Sequence, residues 1–190
     1  MKMRVALFCL SMMLSSVLQA QSLLRTLFKE MPDSIVPYLS KNNRLDMLDF
    51  WDSNMKMDVR NQLDGRSQLT SLNDTYLQLH LNDVSELELV VLDMVQPVDS
   101  ASQIVCLIHT LGGDIKESTV RFYSVKWKPL PAERYISLPQ EMFVADWLES
   151  QSILAVTQKN FMDMPAEEGQ KRAEEVQINF KWSNDRFNKY

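Results

Sequence analysis

Glycine is scarce in this chain. Only four occur among 190 residues, which argues against a glycine-rich nucleotide-binding loop, and neither a P-loop nor a Rossmann fingerprint is present. Cysteine is scarcer still, with Cys9 and Cys106 alone. Basic runs are missing and the formal net charge is −5. That balance disfavours nonspecific binding of nucleic acid, which depends on Lys and Arg against phosphate. There is no His-Glu-x-x-His and no Gly-x-Ser-x-Gly elbow. No long apolar run is present either. The longest, Val5 to Leu14, is far short of the roughly 20 residues needed to cross a bilayer.

What is present is an ordinary globular composition, 45% apolar and 24% charged, in a chain long enough for one good core. The first twenty residues read as a secretory signal peptide. Lys2 and Arg4 precede the short apolar stretch, and small and polar residues lead to Ala20, after which cleavage is expected. Leu18 departs from the small residue usual at the third place back from such a site. A lipoprotein role for Cys9 is disfavoured by bulky Phe8 and by the short apolar segment ahead of it. Cleavage removes Lys2 and Arg4, taking the charge from −5 to −7, and leaves Cys106 as a lone thiol in the apolar setting "QIVCLIHTL". It reads as a small core residue, with no intramolecular disulfide available.

Residues 21–30, "QSLLRTLFKE", place Leu23, Leu24, Leu27 and Phe28 on one helical face. Pro32 and Pro37 interrupt regular helix, and a second helix is expected to start at Asn42 or Asn43, both good caps. Within it Asp46, Asp49 and Asp52 recur at every third position. At 100° per residue they fall at about 0°, 300° and 240°, while Met47, Leu48, Phe50, Trp51 and Met55 fall between about 40° and 200°. The aspartates therefore read as the solvent face of an amphipathic helix that Phe50 and Trp51 anchor to the sheet. The competing reading is a divalent-cation cage, completed by Asp58 and favouring calcium or magnesium over zinc because the donors are oxygens.

Beyond Met55 the pattern turns to strands. Asp64-Gly65 is a turn pair. "TYLQLHLN" alternates, with Leu77, Leu79 and Leu81 on one face. "SELELVVLDMVQ" repeats this with Leu87, Leu89 and Val91. "QIVCLIHTLGGD" and "ESTVRFYSVKW" are joined across Gly112-Gly113 as an antiparallel hairpin, and a slip of phase at Tyr123 implies a bulge or burial on both faces. Pro129, Pro131 and Pro139 mark a looser connection. "PQEMFVADWLE" is expected to hold one or two helical turns, "SILAVTQKNF" a strand, "PAEEGQKRAEE" an exposed loop, and "VQINFKWS" a last strand with Ile178, Phe180 and Trp182 on one face. These elements predict a single α+β domain over 21–190. N-terminal helices (21–57) pack on an antiparallel β-sheet, a meander built from 58–190.

Chemistry-bearing residues are few. His80 lies on the polar side of its strand and His109 within the apolar hairpin; each reads as structural before catalytic. Phe122, Tyr123, Trp127 and Tyr135 either line a sugar- or peptide-binding groove or fill the sheet core, and the core is the simpler reading. No residue is assigned as catalytic, cofactor-binding or metal-ligating, and no cofactor is expected.

The strings "LFKEMPDSIVPYLSKNNRLDMLDFWDSNM", "LDGRSQLTSLNDTYLQLHL" and "ESTVRFYSVKW" resemble a family of secreted Bacteroidetes proteins catalogued as domain of unknown function 3256. The resemblance covers nearly all of the mature chain and implies an exported, single-domain protein. It brings no activity, cofactor or catalytic residue. Taken together, the expectation is a non-enzymatic binding or interaction protein, periplasmic or otherwise associated with the cell envelope. Its partner is an envelope protein or a second copy of itself, with no nucleic acid and no membrane span after cleavage. The alternative is a carboxylate-based hydrolase, cation-dependent at Asp46, Asp49, Asp52 and Asp58; a two-carboxylate glycosidase mechanism needs no fixed spacing in sequence.

Overall fold

The computed structural model describes residues 22–55, 58–158 and 176–190. The expected signal peptide (1–20) and the charged loop "PAEEGQKRAEE" lie outside the described residues.

The described chain is mostly antiparallel sheet with two helices. Helix α1 spans Leu23–Glu30 and α2 spans Lys41–Asp52. Ser22 caps α1, its hydroxyl accepting the Arg25 amide at 3.5 Å. Met31 ends the helix because Pro32 disfavours a helical conformation in the residue before it. The cap of α2 is Ser40, not Asn42 or Asn43. Asn43 stands three places further on and completes a capping box, its side chain accepting the Ser40 amide at 3.1 Å. Between the helices, the proline-broken connection is tied down by a buried cation. Arg44 of α2, 1% exposed, donates to the carbonyls of Met31 and Leu39, both at 2.6 Å, and to Asp33 at 2.9 Å. Met47 and Leu48 are the buried apolar side chains of α2, whereas Phe50 and Trp51 pack only partly against the core.

Eleven strands follow among the described residues. These are β1 Asp58–Arg60, β2 Arg66–Leu72, β3 Tyr76–Asn82, β4 Ser85–Val98, β5 Ala101–Leu111, β6 Glu117–Ser124, β7 Pro129–Leu130, β8 Phe143–Leu148, β9 Ile153–Gln158, β10 Val176–Ser183 and β11 Arg186–Lys189. They form two sheets instead of the single meander expected. The first is seven-stranded in the order β1-β2-β3-β4-β5-β6-β7, and the second is four-stranded in the order β11-β10-β9-β8. Every pairing is antiparallel. The break falls in the connection that carries Pro131 and Pro139, which follows the two-residue β7.

The seven-stranded sheet is buried on both faces. Leu77, Leu79, Leu87, Leu89, Val105 and Leu107 share one apolar cluster with Leu24, Leu27, Phe28 and Met47 of the helices. Their neighbours of opposite phase, among them Val90, Leu92, Ile104, Cys106, Ile108 and Phe122, share another with Leu154, Val156, Phe180 and Phe187 of the second sheet. This explains the uninterrupted apolar runs of β4 and β5: a strand covered on both sides loses its alternation. It also explains the slip at Tyr123. Phe122 belongs to one cluster and Tyr123 to the other, while the β5–β6 register runs without a break. The expected helical turns in "PQEMFVADWLE" are instead strand β8, held against the first sheet by side-chain bonds described below.

Candidate functional site

The four aspartates of the cation reading do not converge. Asp46 and Asp49 face solvent. Asp52 accepts two bonds from the Arg25 guanidinium, at 2.9 and 2.7 Å, and Asp58 is bonded to Arg66. The shallow depression between the helices beside Asp49 and Asp52 also carries Arg25 and Lys29, which disfavours a cation there. Among the described residues, no three acidic, His or Cys side chains are grouped to hold a metal ion.

The four candidate aromatics are divided between the faces. Phe122 and Tyr135 meet at a tilt, their rings 4.9 Å apart, between the sheets. Tyr123 and Trp127 meet at 5.5 Å on the helical side, where Trp127 Nε1 donates to the Leu27 carbonyl at 3.1 Å and fastens α1. They build core and do not line one groove.

His80 is half-buried on β3 beside Thr70, Gln78 and Glu86. His109 lies 3.0 Å from Ser85 Oγ through Nε2, and Ser85 Oγ lies 3.1 Å from the Tyr38 hydroxyl. Burial first, and the nearby Arg121 charge second, hold His109 below its ordinary pKa, which favours the neutral imidazole. Ser85 is 3% exposed and engaged on both sides. This trio ties the connection after α1 to β4 and β5; it does not present a nucleophile.

Two polar side chains of the first sheet satisfy the outer edge of β8. Ser118 Oγ accepts the Ala145 amide at 2.9 Å and shares a 2.7 Å bond with Thr110 Oγ1. Glu88 Oε2 accepts the Trp147 amide at 3.0 Å. Burial pushes the Glu88 carboxyl up to about 7, reinforced by the Asp146 charge and opposed by bonds from Trp147 and Tyr76. Sequence reasoning missed this carboxyl. Its signal was a single acid inside "LELVV", a run too apolar for an exposed face.

The feature best suited to contact another molecule lies at one end of the seven-stranded sheet. Three turns meet there: β1–β2, β3–β4 and β5–β6. The turns expose Leu63, Val84 and Ile115 by 69, 50 and 60%, and the adjoining end of β5 exposes Leu111 by 49%. The turns are held firmly. The Asn61 side chain accepts the amides of Leu63 and Gly65 at 2.9 and 3.1 Å and donates to Ser67 Oγ and the Leu81 carbonyl. Asn82 accepts the Val84 amide at 3.0 Å. Gly112 has φ +119°, and a Cβ there would stand 1.9 Å from the Ile115 carbonyl oxygen, so only glycine fits. Its amide donates to the Val84 carbonyl at 2.9 Å, joining two of the turns. The sequence signal was aliphatic residues set inside turn segments.

Among known proteins, the family profile described as "Protein of unknown function (DUF3256)" matches residues 15–166. A solved structure, of a domain of an uncharacterised protein from Porphyromonas gingivalis W83, is similar with a TM-score of 0.71. That likeness spans 90% of this chain and 99% of that one at 17% identity, and speaks for the fold alone. No curated protein matches the sequence.

Proposed function

The chain belongs to the family of proteins of unknown function DUF3256, and from that premise we propose that it is an exported, non-enzymatic binding or interaction protein of the cell envelope. One observation carries the reading: four aliphatic side chains, each about half exposed or more, gathered at one end of a sheet on and beside hydrogen-bonded turns. Apolar side chains clustered in water are disfavoured unless something covers them, and rigid presentation lowers the entropy lost when it does. Export rests on the leader pattern of Lys2, Arg4, the Val5–Leu14 stretch and Ala20.

Cation-assisted hydrolysis at Asp46, Asp49, Asp52 and Asp58 gains no comparable support, since two of the four already serve arginines. The test is retention of a partner. The mature chain and its Val84→Ser, Ile115→Ser variant are passed through envelope extract, and the mass of each is measured by sedimentation. The reading expects a specific partner, or a dimer, in the parent chain that the variant loses. Equal retention by both, or a monomer that retains nothing, defeats it.

A further inference from the structure

This inference rests on that reading and deepens it. We propose that the turn rim at the end of the seven-stranded sheet receives a basic amphipathic segment of a partner protein, an apolar stripe with Lys or Arg along its margins. Each turn sets an aspartate directly beside its exposed aliphatic: Leu63-Asp64, Asp83-Val84 and Asp114-Ile115. All three aspartates are exposed. Asp64 pairs with Arg60 at 2.8 Å, but both side chains are largely in water. Asp83 and Asp114 take part in no ion pair among the described residues. Among the described residues flanking these turns, Lys116 is engaged by Glu86 and Arg66 by Asp58. The rim thus offers apolar contact bordered by negative charge.

That charge selects among occupants. An anionic lipid surface would meet the carboxylates before the aliphatic side chains reached the acyl region, so repulsion opposes insertion. A second copy seated rim to rim would bring Asp83 and Asp114 against their like. A segment with basic margins pairs with each carboxylate while its stripe covers Val84, Ile115 and Leu63. Size agrees. Adjacent turns are two strands apart, about 10 Å, so the three span roughly 20 Å, the length of about 14 helical residues.

The test uses fluorescence anisotropy of the mature protein with a synthetic helix of about 14 residues, Leu on one face and Lys at its margins. A matched Leu/Glu helix and vesicles of phosphatidylglycerol and phosphatidylethanolamine complete the set. The Leu/Lys helix is expected to bind, with affinity falling as salt rises. Asp83→Asn with Asp114→Asn is expected to weaken binding about fivefold, as two exposed charge contacts would, and to flatten the salt dependence. Asp46→Asn with Asp49→Asn removes equal charge from α2 and is expected to leave binding unchanged, which separates the rim from net charge. Equal binding of both helices, abolished by Val84→Ser with Ile115→Ser, overturns the basic partner and leaves the binding reading standing. Binding to the vesicles that requires Val84 and Ile115 likewise overturns it in favour of a membrane. No binding of either helix, or binding indifferent to the serine pair, overturns the basic segment as occupant, and the extract and sedimentation test above then decides the binding reading. Thermal melts confirm that each surface variant remains folded.

Discussion

Glu88 is expected to make this protein less stable as pH rises from about 4.5 to about 7. The carboxyl is 8% exposed, and its affinity for a proton is raised from the ordinary 4.5 to about 7. Below 4.5 both folded and unfolded chains hold the proton, and Glu88 costs nothing. Between 4.5 and 7 the unfolded chain ionises while the fold does not, so stability falls as pH rises. Above 7 the full penalty is present. A gap of that size, at 1.36 kcal/mol per pH unit, is about 3 kcal/mol. His109 acts in the opposite sense: it is held below 6.5 by burial, so the unfolded chain takes up a proton that the fold refuses as pH falls. A single pH profile mixes the two. Glu88→Gln separates them, because an amide oxygen still accepts the Trp147 N–H and carries no charge. The measurement is urea unfolding followed by tryptophan fluorescence at pH 5 and pH 8. The variant is expected to unfold at about 1 M higher urea at pH 8 and near the parent midpoint at pH 5. Parallel profiles at the two pH values, or a variant weaker than its parent at pH 8, would refute the assignment of a buried, proton-retaining carboxyl.

Ser118→Ala leaves the Ala145 amide without its acceptor at the outer edge of β8 and is expected to cost about 1–2 kcal/mol by the same unfolding assay. Arg44→Met strips the Met31 and Leu39 carbonyls of their donor; a loss of about 3 kcal/mol is expected, with proteolysis appearing first in the connection 31–40. The Tyr135 hydroxyl is buried with no partner among the described residues, so Tyr135→Phe is expected to be neutral or to raise stability by up to about 1 kcal/mol in a thermal melt. Calcium added to the protein is expected to leave the melting temperature unshifted, because Asp52 and Asp58 are already bonded to arginines; a rise of several degrees would restore the cation reading.

Local patterns carried much of the architecture. The acidic face of α2, the common face of Leu77, Leu79 and Leu81, and the glycine hairpin between β5 and β6 all follow from period and turn chemistry, which act over a few residues. The second sheet did not follow, because its strands look like any others. Their separation depends on what stacks over Val90, Ile104 and Phe122, and no short window reports that. β8 was misread for a related reason: "FVADWL" lacks clean alternation, and its edge is satisfied by Ser118 and Glu88, 27 and 59 residues upstream of the amides they accept. The polar trio of Tyr38, Ser85 and His109 was illegible on the same grounds, joining residues 47 and 24 positions apart. The rim was half legible. Its aliphatics and aspartates can be read in the turns, but their exposure and their gathering at one end required the strand order.

Cys106 lies wholly within the layer between the two sheets, its thiol pushed far up by burial. Cleavage after Ala20, if it occurs, would take Cys9 with it and leave Cys106 as the single thiol. A maleimide or disulfide reagent needs an ionised thiol in contact with water, and this one meets that condition only while the layers are parted. Its labelling rate is therefore a clock for separation of the sheets, readable in the native chain without any introduced probe.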